Sequence, residues 1–296
     1  MENKILILTD SSSTISKEMC EQYDIVVLPL SLLRNDGKTY IYEAMNMTTE
    51  DFLKMDDDGY SFKTSCTPNG IIEEVIKSQF LKYNKIIALP ISQKWSSQYN
   101  HLKSLSLMDE YKDKLYVANT MEYGYGLERI AIEIRNKINA GENNINELIK
   151  YAENFKNYSV SYYACQSLTG LVNSGRVPKV IAKIMKLAKI KPIIRVEGEN
   201  KLESIIKNFS EVVNKIIKAA IKIYGNRLSN KDIKNIAVLS TDSSDEYLNE
   251  IIIDLSKALN IDKSIIEIRK VPNIFVNIAS RGAIGLHIVA NKLKSA

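Results

Sequence analysis

Short apolar runs that alternate with helical patterns are the feature that most constrains the fold of this sequence. In its first half, the runs have the length of buried strands, and the segments between them repeat apolar side chains at helical spacing. The predicted strands are residues 5–9, 24–30, 85–90 and 115–118, and the clearest helices are residues 69–83 and 122–139. This alternation indicates a mostly parallel sheet with helices on both faces. Ligands of such sheets gather at the carboxyl ends of the strands, so the loops after Thr9, Pro90 and Ala118 are the predicted places for a site.

The second half of the sequence has a different pattern, in which a turn typical of a hairpin falls at Gly198. The predicted elements are strands at 160–164, 192–196, 236–240 and 265–269 and helices at 180–189, 203–224 and 245–259. We therefore predict an α/β chain with two domains, an N-terminal parallel-sheet α/β domain at residues 1–157 and a C-terminal α+β domain at residues 158–296.

Composition excludes several classes of protein. With 296 residues, 45% hydrophobic and 25% charged, the chain is neither wholly disordered nor collagen-like. Its longest apolar runs fall well short of the roughly 18 to 20 residues that span a bilayer, and the first is too short for a signal peptide. A cytoplasmic location is therefore expected. The net charge of +5 comes from well-mixed signs, which indicates a solvated surface and no nucleic acid partner.

Few residues suit metal or histidine-dependent chemistry. The three cysteines are scattered without a CxxC pair, and the two histidines form no HExxH motif, so no metal and no cofactor are predicted. Cys66 lies in a polar turn, but no histidine is near it in sequence. This distance argues against Cys66 as a nucleophile.

Hydroxyl side chains are concentrated at the predicted strand ends. They occur in three groups, which are residues 11–13 beside Asp10, residues 64–67, and Ser92 with residues 96–97. Helix capping explains any one of these groups by itself. Three groups at one sheet edge, together with helix N-termini, also provide the neutral donors that suit a carboxylate or a phosphate.

Six segments, in order along nearly the whole chain, give a resemblance to a known family. They are ILTDSS at 7–12, VLPLS at 27–31 with DGKTY at 36–40, KTSCTP at 63–68, ISQKWSSQY at 91–99, LTGLVNSGR at 168–176, and IKPI at 190–193 with EG at 197–198. In this order they resemble the DegV family of bacterial fatty-acid-binding proteins. No single segment is specific, but the six together are.

The resemblance implies a long-chain fatty acid held in a tunnel between the two domains, without catalysis. The best understood members present the bound acid to a separate ATP-dependent fatty acid kinase. By motif match, Thr64 or Ser65 and Ser96 would bind the carboxylate, with Ser92 in the same loop, and Arg176 would meet the kinase. Asn277 stands where the family usually has a histidine, so a neutral donor would replace a group that can carry charge.

The sequence thus predicts a non-catalytic lipid carrier whose ligand is a long-chain fatty acid. A fatty acid kinase and transient contact with a membrane surface are the expected interactions, and a monomer is the expected state. Two alternatives stay open at this stage. One is an enzyme that acts on a small phosphate or acyl substrate at the same cleft, and the other is a basic DNA-binding protein.

Overall fold

The computed structural model describes residues 4–42, 47–166, 170, 175, 191–225, 228, 231–279 and 281–291. The chain divides into two compact units. The first is Met1–Phe155 with Pro272–Ile274, and the second is Lys156–Val271 with Phe275–Ala296. In the described residues, no helix combines the length and the apolar character needed to span a bilayer.

The first unit alternates strands and helices as the sequence predicts. Its strands are β1 (Ile5–Asp10), β2 (Ile25–Leu28), β3 (Ser31–Arg34), β4 (Tyr40–Tyr42), β5 (Phe62–Ser65), β6 (Lys85–Leu89) and β7 (Leu115–Val117). Its helices are α1 (Lys17–Tyr23), α2 (Thr49–Asp57), α3 (Asn69–Gln79), α4 (Gln98–Ser106), α5 (Tyr125–Asn139) and α6 (Ile145–Asn154).

A four-stranded parallel sheet organises this unit, in the order β2-β1-β6-β7. Every residue of β1 is buried, which is typical of a parallel strand covered on both faces. A second sheet, β4-β3-β5, is small and antiparallel. Because all four strands of the larger sheet point the same way, the loops that follow them emerge at one edge.

The second unit contains a six-stranded sheet. Its described elements are β8 (Ser159–Ala164), β9 (Lys191–Val196), β10 (Asn200–Ile206), α7 (Val212–Ile223), β11 (Ile233–Ser240), α8 (Asp245–Leu259), β12 (Ile266–Lys270), α9 (Asn273–Ala279) and β13 (Ile284–Ala290). The strand order is β10-β9-β8-β13-β11-β12, and every neighbouring pair is antiparallel except β11 and β12. The predicted fold class is therefore confirmed: a parallel-sheet α/β unit is followed by a unit of sheet and helices.

One long helix was predicted at residues 203–224, and this prediction is wrong. Residues 200–206 form the edge strand β10, and the helix begins only at Val212. Gly198, at a φ of +74°, makes the turn that folds β10 back onto β9. The ladder of hydrogen bonds in this hairpin outweighs the helical spacing of the apolar side chains. The helix predicted at 180–189 lies outside the described residues.

Candidate functional site

The loops at the carboxyl edge of the parallel sheet are held together by Asp10, the last residue of β1. Its side chain is fully buried. One carboxylate oxygen accepts hydrogen bonds from the Ser12 backbone N–H (3.1 Å) and the Ser12 hydroxyl (2.5 Å), and the other accepts one from the Ile91 N–H (2.8 Å). Burial raises the pKa of Asp10, and these hydrogen bonds oppose that shift. Asp10 therefore joins the loop after β1 to the loop after β6.

The turn at residues 64–68 packs against the start of α4. The Thr67 N–H donates to the Gln98 side-chain oxygen (3.0 Å), and the Gln98 amide group donates back to the Thr67 hydroxyl (3.1 Å). That hydroxyl in turn donates to the Pro29 carbonyl oxygen (2.8 Å). Both Thr67 and Gln98 are fully buried, so this exchange of hydrogen bonds fixes the turn against the helix.

Three of the predicted ligand hydroxyls lie on these two segments. Thr64 and Ser65 end β5; Thr64 is half-buried and Ser65 is exposed. Within the described parts of the chain, neither hydroxyl makes a hydrogen bond to a protein group. The Ser96 hydroxyl accepts from the N–H of Gln98, the first residue of α4, at 3.2 Å, whereas Ser97 holds the N-cap position and its side chain makes no capping bond. Accepting this bond leaves the Ser96 O–H group able to donate.

The amino end of α3 provides further donors beside this turn. Pro68 occupies the N-cap position, and no side chain caps the helix. Because the first amides of a helix lack partners within it, an uncapped end attracts anions. Next to the 64–68 turn, hydroxyl groups therefore lie beside amides of α3 that have no partner among the described residues.

Ser92 and Trp95 have partners within their own loop. The Ser92 side chain is buried; its hydroxyl accepts from the Lys94 N–H at 3.3 Å and donates to the Met121 sulfur at 3.8 Å. The Trp95 ring stacks on Tyr123, with their centroids 5.2 Å apart. These contacts hold the loop after β6 in place.

Cys66 has a histidine beside it, which sequence reasoning missed. Its sulfur lies 3.7 Å from Nδ1 of His101 on α4 and 3.4 Å from the Ser97 hydroxyl oxygen. No histidine is near Cys66 in sequence, but His101 contacts it in the folded protein. No local signal links two residues that are 35 positions apart, and only the docking of the turn on α4 brings them together.

The remaining predicted residues lie elsewhere. Asn277 is half-buried on α9, in the part of that helix that belongs to the second unit. Arg176 lies outside the described residues. In the regions that the structure describes, no three His, Cys, Asp or Glu side chains cluster as a metal site would require.

The fold and the site define a two-unit α/β protein whose parallel sheet ends in a donor-rich edge suited to a small anionic group. Residues 4–291 match the family model described as "Uncharacterised protein, DegV family". A DegV domain-containing protein of Ureaplasma parvum serovar 3 is 36% identical to this chain, over 98% of the chain and 97% of that protein. The chain belongs to the DegV family.

Solved structures share the whole fold at low sequence identity. A DegV family protein from Thermus thermophilus, described in terms of its fatty acid binding, matches 97% of this chain and 99% of its own, with a TM-score of 0.84 and 16% identity. A stearic acid-binding protein from Eubacterium ventriosum matches 96% of this chain and 97% of its own, with a TM-score of 0.81 and 21% identity.

Proposed function

We propose that this protein binds a long-chain fatty acid and holds its carboxylate with the hydroxyl groups of Ser96 and of Thr64 or Ser65. The observation that carries the proposal is the packing of the 64–68 turn against the start of α4 through Thr67 and Gln98. This packing joins the two segments that bear the three hydroxyls. The solved structures described as those of fatty acid-binding proteins support the choice of ligand.

The physical basis is the replacement of water around a carboxylate. Taking this charge out of water costs several kcal/mol unless donors meet it. Hydroxyl and amide donors to a charged acceptor each contribute about 1.5–3 kcal/mol. Burial of the acyl tail adds about 0.8 kcal/mol for each methylene group, so the tail supplies most of the affinity and the donors select an acid.

Ser92 and Asn277 are two further proposed contacts with the ligand. A hydrogen bond from Ser92 to the ligand would have to replace its bond to Met121, so this residue ranks below Thr64, Ser65 and Ser96. Asn277 is a predicted contact by motif match alone. The location of the acyl chain between the two domains also stays a prediction.

We further propose that the protein is a carrier without catalytic activity that presents the bound acid to a fatty acid kinase. Arg176 is the predicted contact with that kinase. This role is tested by comparing acyl phosphate formation when a purified fatty acid kinase is given the lipid-loaded protein or the free acid. Equal rates with both would contradict the carrier role.

Native mass spectrometry of protein purified from cells tests the binding of lipid most directly. We expect a mass increase that matches a long-chain fatty acid, loss of that mass on delipidation, and its return when fatty acid is added. A delipidated protein that fails to bind a fluorescent fatty acid would contradict the proposal. Turnover of acyl esters or phosphoesters by the purified protein would instead favour an enzyme.

A further inference from the structure

Cys66, Ser97 and His101 form a cluster of a nucleophile, a hydrogen-bond donor and a base. The Ser97 hydroxyl donates a hydrogen bond to the Cys66 sulfur at 3.4 Å, and Nδ1 of His101 lies 3.7 Å from the same sulfur. Cys66 and His101 are half-buried and Ser97 is exposed, so the cluster is partly open to solvent. A neutral imidazole whose Nδ1 carries no proton can accept the thiol proton.

The other two cysteines have environments that disfavour a thiolate. Burial, reinforced by the charges of Glu18 and Glu21, raises the pKa of Cys20. Burial alone raises the pKa of Cys165 to about 12. Reactive cysteines are partly exposed and stand beside a histidine or another cationic group, whereas buried structural cysteines are inert. Cys66 fits the first description, and Cys165 fits the second.

We propose that Cys66 is a redox modification site, which reacts with a low-molecular-weight disulfide such as glutathione disulfide and thereby blocks the head-group site. His101 takes the thiol proton, and the thiolate attacks one sulfur of the disulfide. A new S–S bond forms as the old one breaks, and the departing thiolate takes the proton back from His101. The net exchange converts protein thiol and disulfide into mixed disulfide and free thiol.

The effect on the ligand rests on the proposed function, and it follows from the position of Cys66. This residue lies directly between Ser65 and Thr67, and its sulfur contacts Ser97, the neighbour of Ser96. A glutathionyl group attached there is bulky and carries net negative charge. It would occupy the space in front of the hydroxyls and repel a carboxylate. Reduction would remove the group and restore binding.

The thiol chemistry is tested first, without reference to any lipid. The folded protein is incubated with glutathione disulfide, and the adduct at each cysteine is followed by mass spectrometry of its peptides. We expect Cys66 to react about tenfold faster than Cys20, which serves as an internal reference. His101→Gln, which keeps a polar side chain but no base, should slow Cys66 about tenfold without changing Cys20. Equal rates at Cys66 and Cys20, or an unchanged rate in His101→Gln, would overturn the proposal.

The effect on binding is tested second, with a fluorescent long-chain fatty acid as the probe. Protein treated with glutathione disulfide should bind the probe at least about tenfold more weakly than untreated protein, and dithiothreitol should restore the affinity. Cys66→Ser should bind the probe and be insensitive to glutathione disulfide. If the adduct forms and affinity is unchanged, the regulatory inference is overturned while the proposed function stands. If untreated protein does not bind the probe, the proposed function fails, and the reactivity of Cys66 is still decided by the mass measurement.

Discussion

Gly170 is a residue whose identity is fixed by the space around it. A Cβ atom at this position would lie 2.7 Å from the carbonyl oxygens of both Asn277 and Ile278. Both are backbone atoms of α9, so they cannot move aside as the end of a flexible side chain would. The glycine allows the chain to pass close to this helix.

Gly170→Ala should therefore lower the free energy of unfolding by about 1–3 kcal/mol, because the methyl group forces the backbone apart. Urea denaturation measures the loss. Gly70→Ala is the matched control, since nothing lies within 4 Å of a Cβ there and Gly70 is on α3. The control should be neutral or slightly stabilising. Equal stability of the two variants would contradict the steric argument.

Thr64→Val tests a head-group hydroxyl with little disturbance of the fold. Valine keeps the shape and the β-branch of threonine, and within the described residues the Thr64 hydroxyl has no protein partner to lose. We expect a fatty acid probe to bind about 10- to 150-fold more weakly, the equivalent of one hydrogen bond to a charged group. Thermal stability should change little.

Ser96→Ala should weaken binding to a similar extent, but it also removes the hydrogen bond to the Gln98 N–H, so stability has to be measured in parallel. The exposed Ser104 on α4 provides the matched Ser→Ala control; it lies six residues, about 9 Å at 1.5 Å per residue, beyond the first residue of that helix. Unchanged lipid retention in both Thr64→Val and Ser96→Ala would remove these residues from the proposed site.

At the scale of elements, the buried pair Thr67 and Gln98 joins a turn to a helix. Gln98→Leu would leave the Thr67 N–H without an acceptor in a dry environment, at a cost of about 1–3 kcal/mol. Because the 64–68 turn would no longer be fixed, fatty acid affinity should fall as well. The exposed Gln93, in the loop after β6, provides the matched Gln→Leu control, which should change stability by less than about 0.5 kcal/mol. Similar losses in both variants would contradict the role of the pair.

The turn between β3 and β4 gives the fold a dependence on pH through Asp36. The Thr39 hydroxyl, the Lys38 N–H, the Arg34 side chain and the Thr39 N–H donate to its carboxylate and hold the pKa of Asp36 well below its ordinary value. A pKa that is lowered by folding stabilises the fold above the unfolded-state pKa of about 4, and this contribution is lost as pH falls toward the folded pKa.

The Asp36→Asn variant should therefore have a lower free energy of unfolding than the unsubstituted protein at pH 7. The difference between the two free energies should become smaller below about pH 4. Urea denaturation at pH 7 and at about pH 3 measures both values. A difference that stays constant over this range would show that the charge of Asp36 contributes nothing.

Elements with strong local signals could be predicted from the sequence. Helix α8 was predicted at residues 245–259 and occupies those residues, because Ser244 caps its start and Asn260, at a φ of +50°, ends it. Helix α5 was predicted from residue 122 but begins at Tyr125, after Gly124 at a φ of +53°. Strand β10 was missed because its pairing with β9, and not its own apolar spacing, decides its conformation.

Part of the arrangement around the candidate site could be predicted. The residues after β1 and β6 could be assigned to one sheet edge, because parallel strands share a direction. Thr64 and Ser65 could not, because β5 belongs to the small antiparallel sheet. The contact of Cys66 with His101 could not, because it depends on how a turn docks on a helix far along the chain.

At the scale of the whole molecule, each unit has a buried core of its own. In the first, Leu6 of β1 packs in a cluster with residues of α3, β6 and α4. In the second, Leu255 of α8 packs in a larger cluster with residues of the six-stranded sheet and α7. Both leucines are fully buried.

Leu6→Ala and Leu255→Ala should each lower the free energy of unfolding by about 2–5 kcal/mol, because apolar burial is lost and a cavity is left behind. Amide hydrogen exchange should accelerate mainly in the unit that carries the substitution, since local opening follows the cooperative unit. The two variants are controls for each other. Uniform acceleration across both units would indicate a single cooperative core instead.

The first unit includes Pro272–Ile274, where the Asn273 side chain donates to the Met47 carbonyl oxygen at 3.3 Å. During synthesis on the ribosome, the segment that ends at Phe155 emerges long before these three residues are translated. The hydrogen bond between Asn273 and Met47 can therefore form only after most of the chain has been synthesised. A protein truncated after Phe155 would lack residues 272–274 and therefore this hydrogen bond.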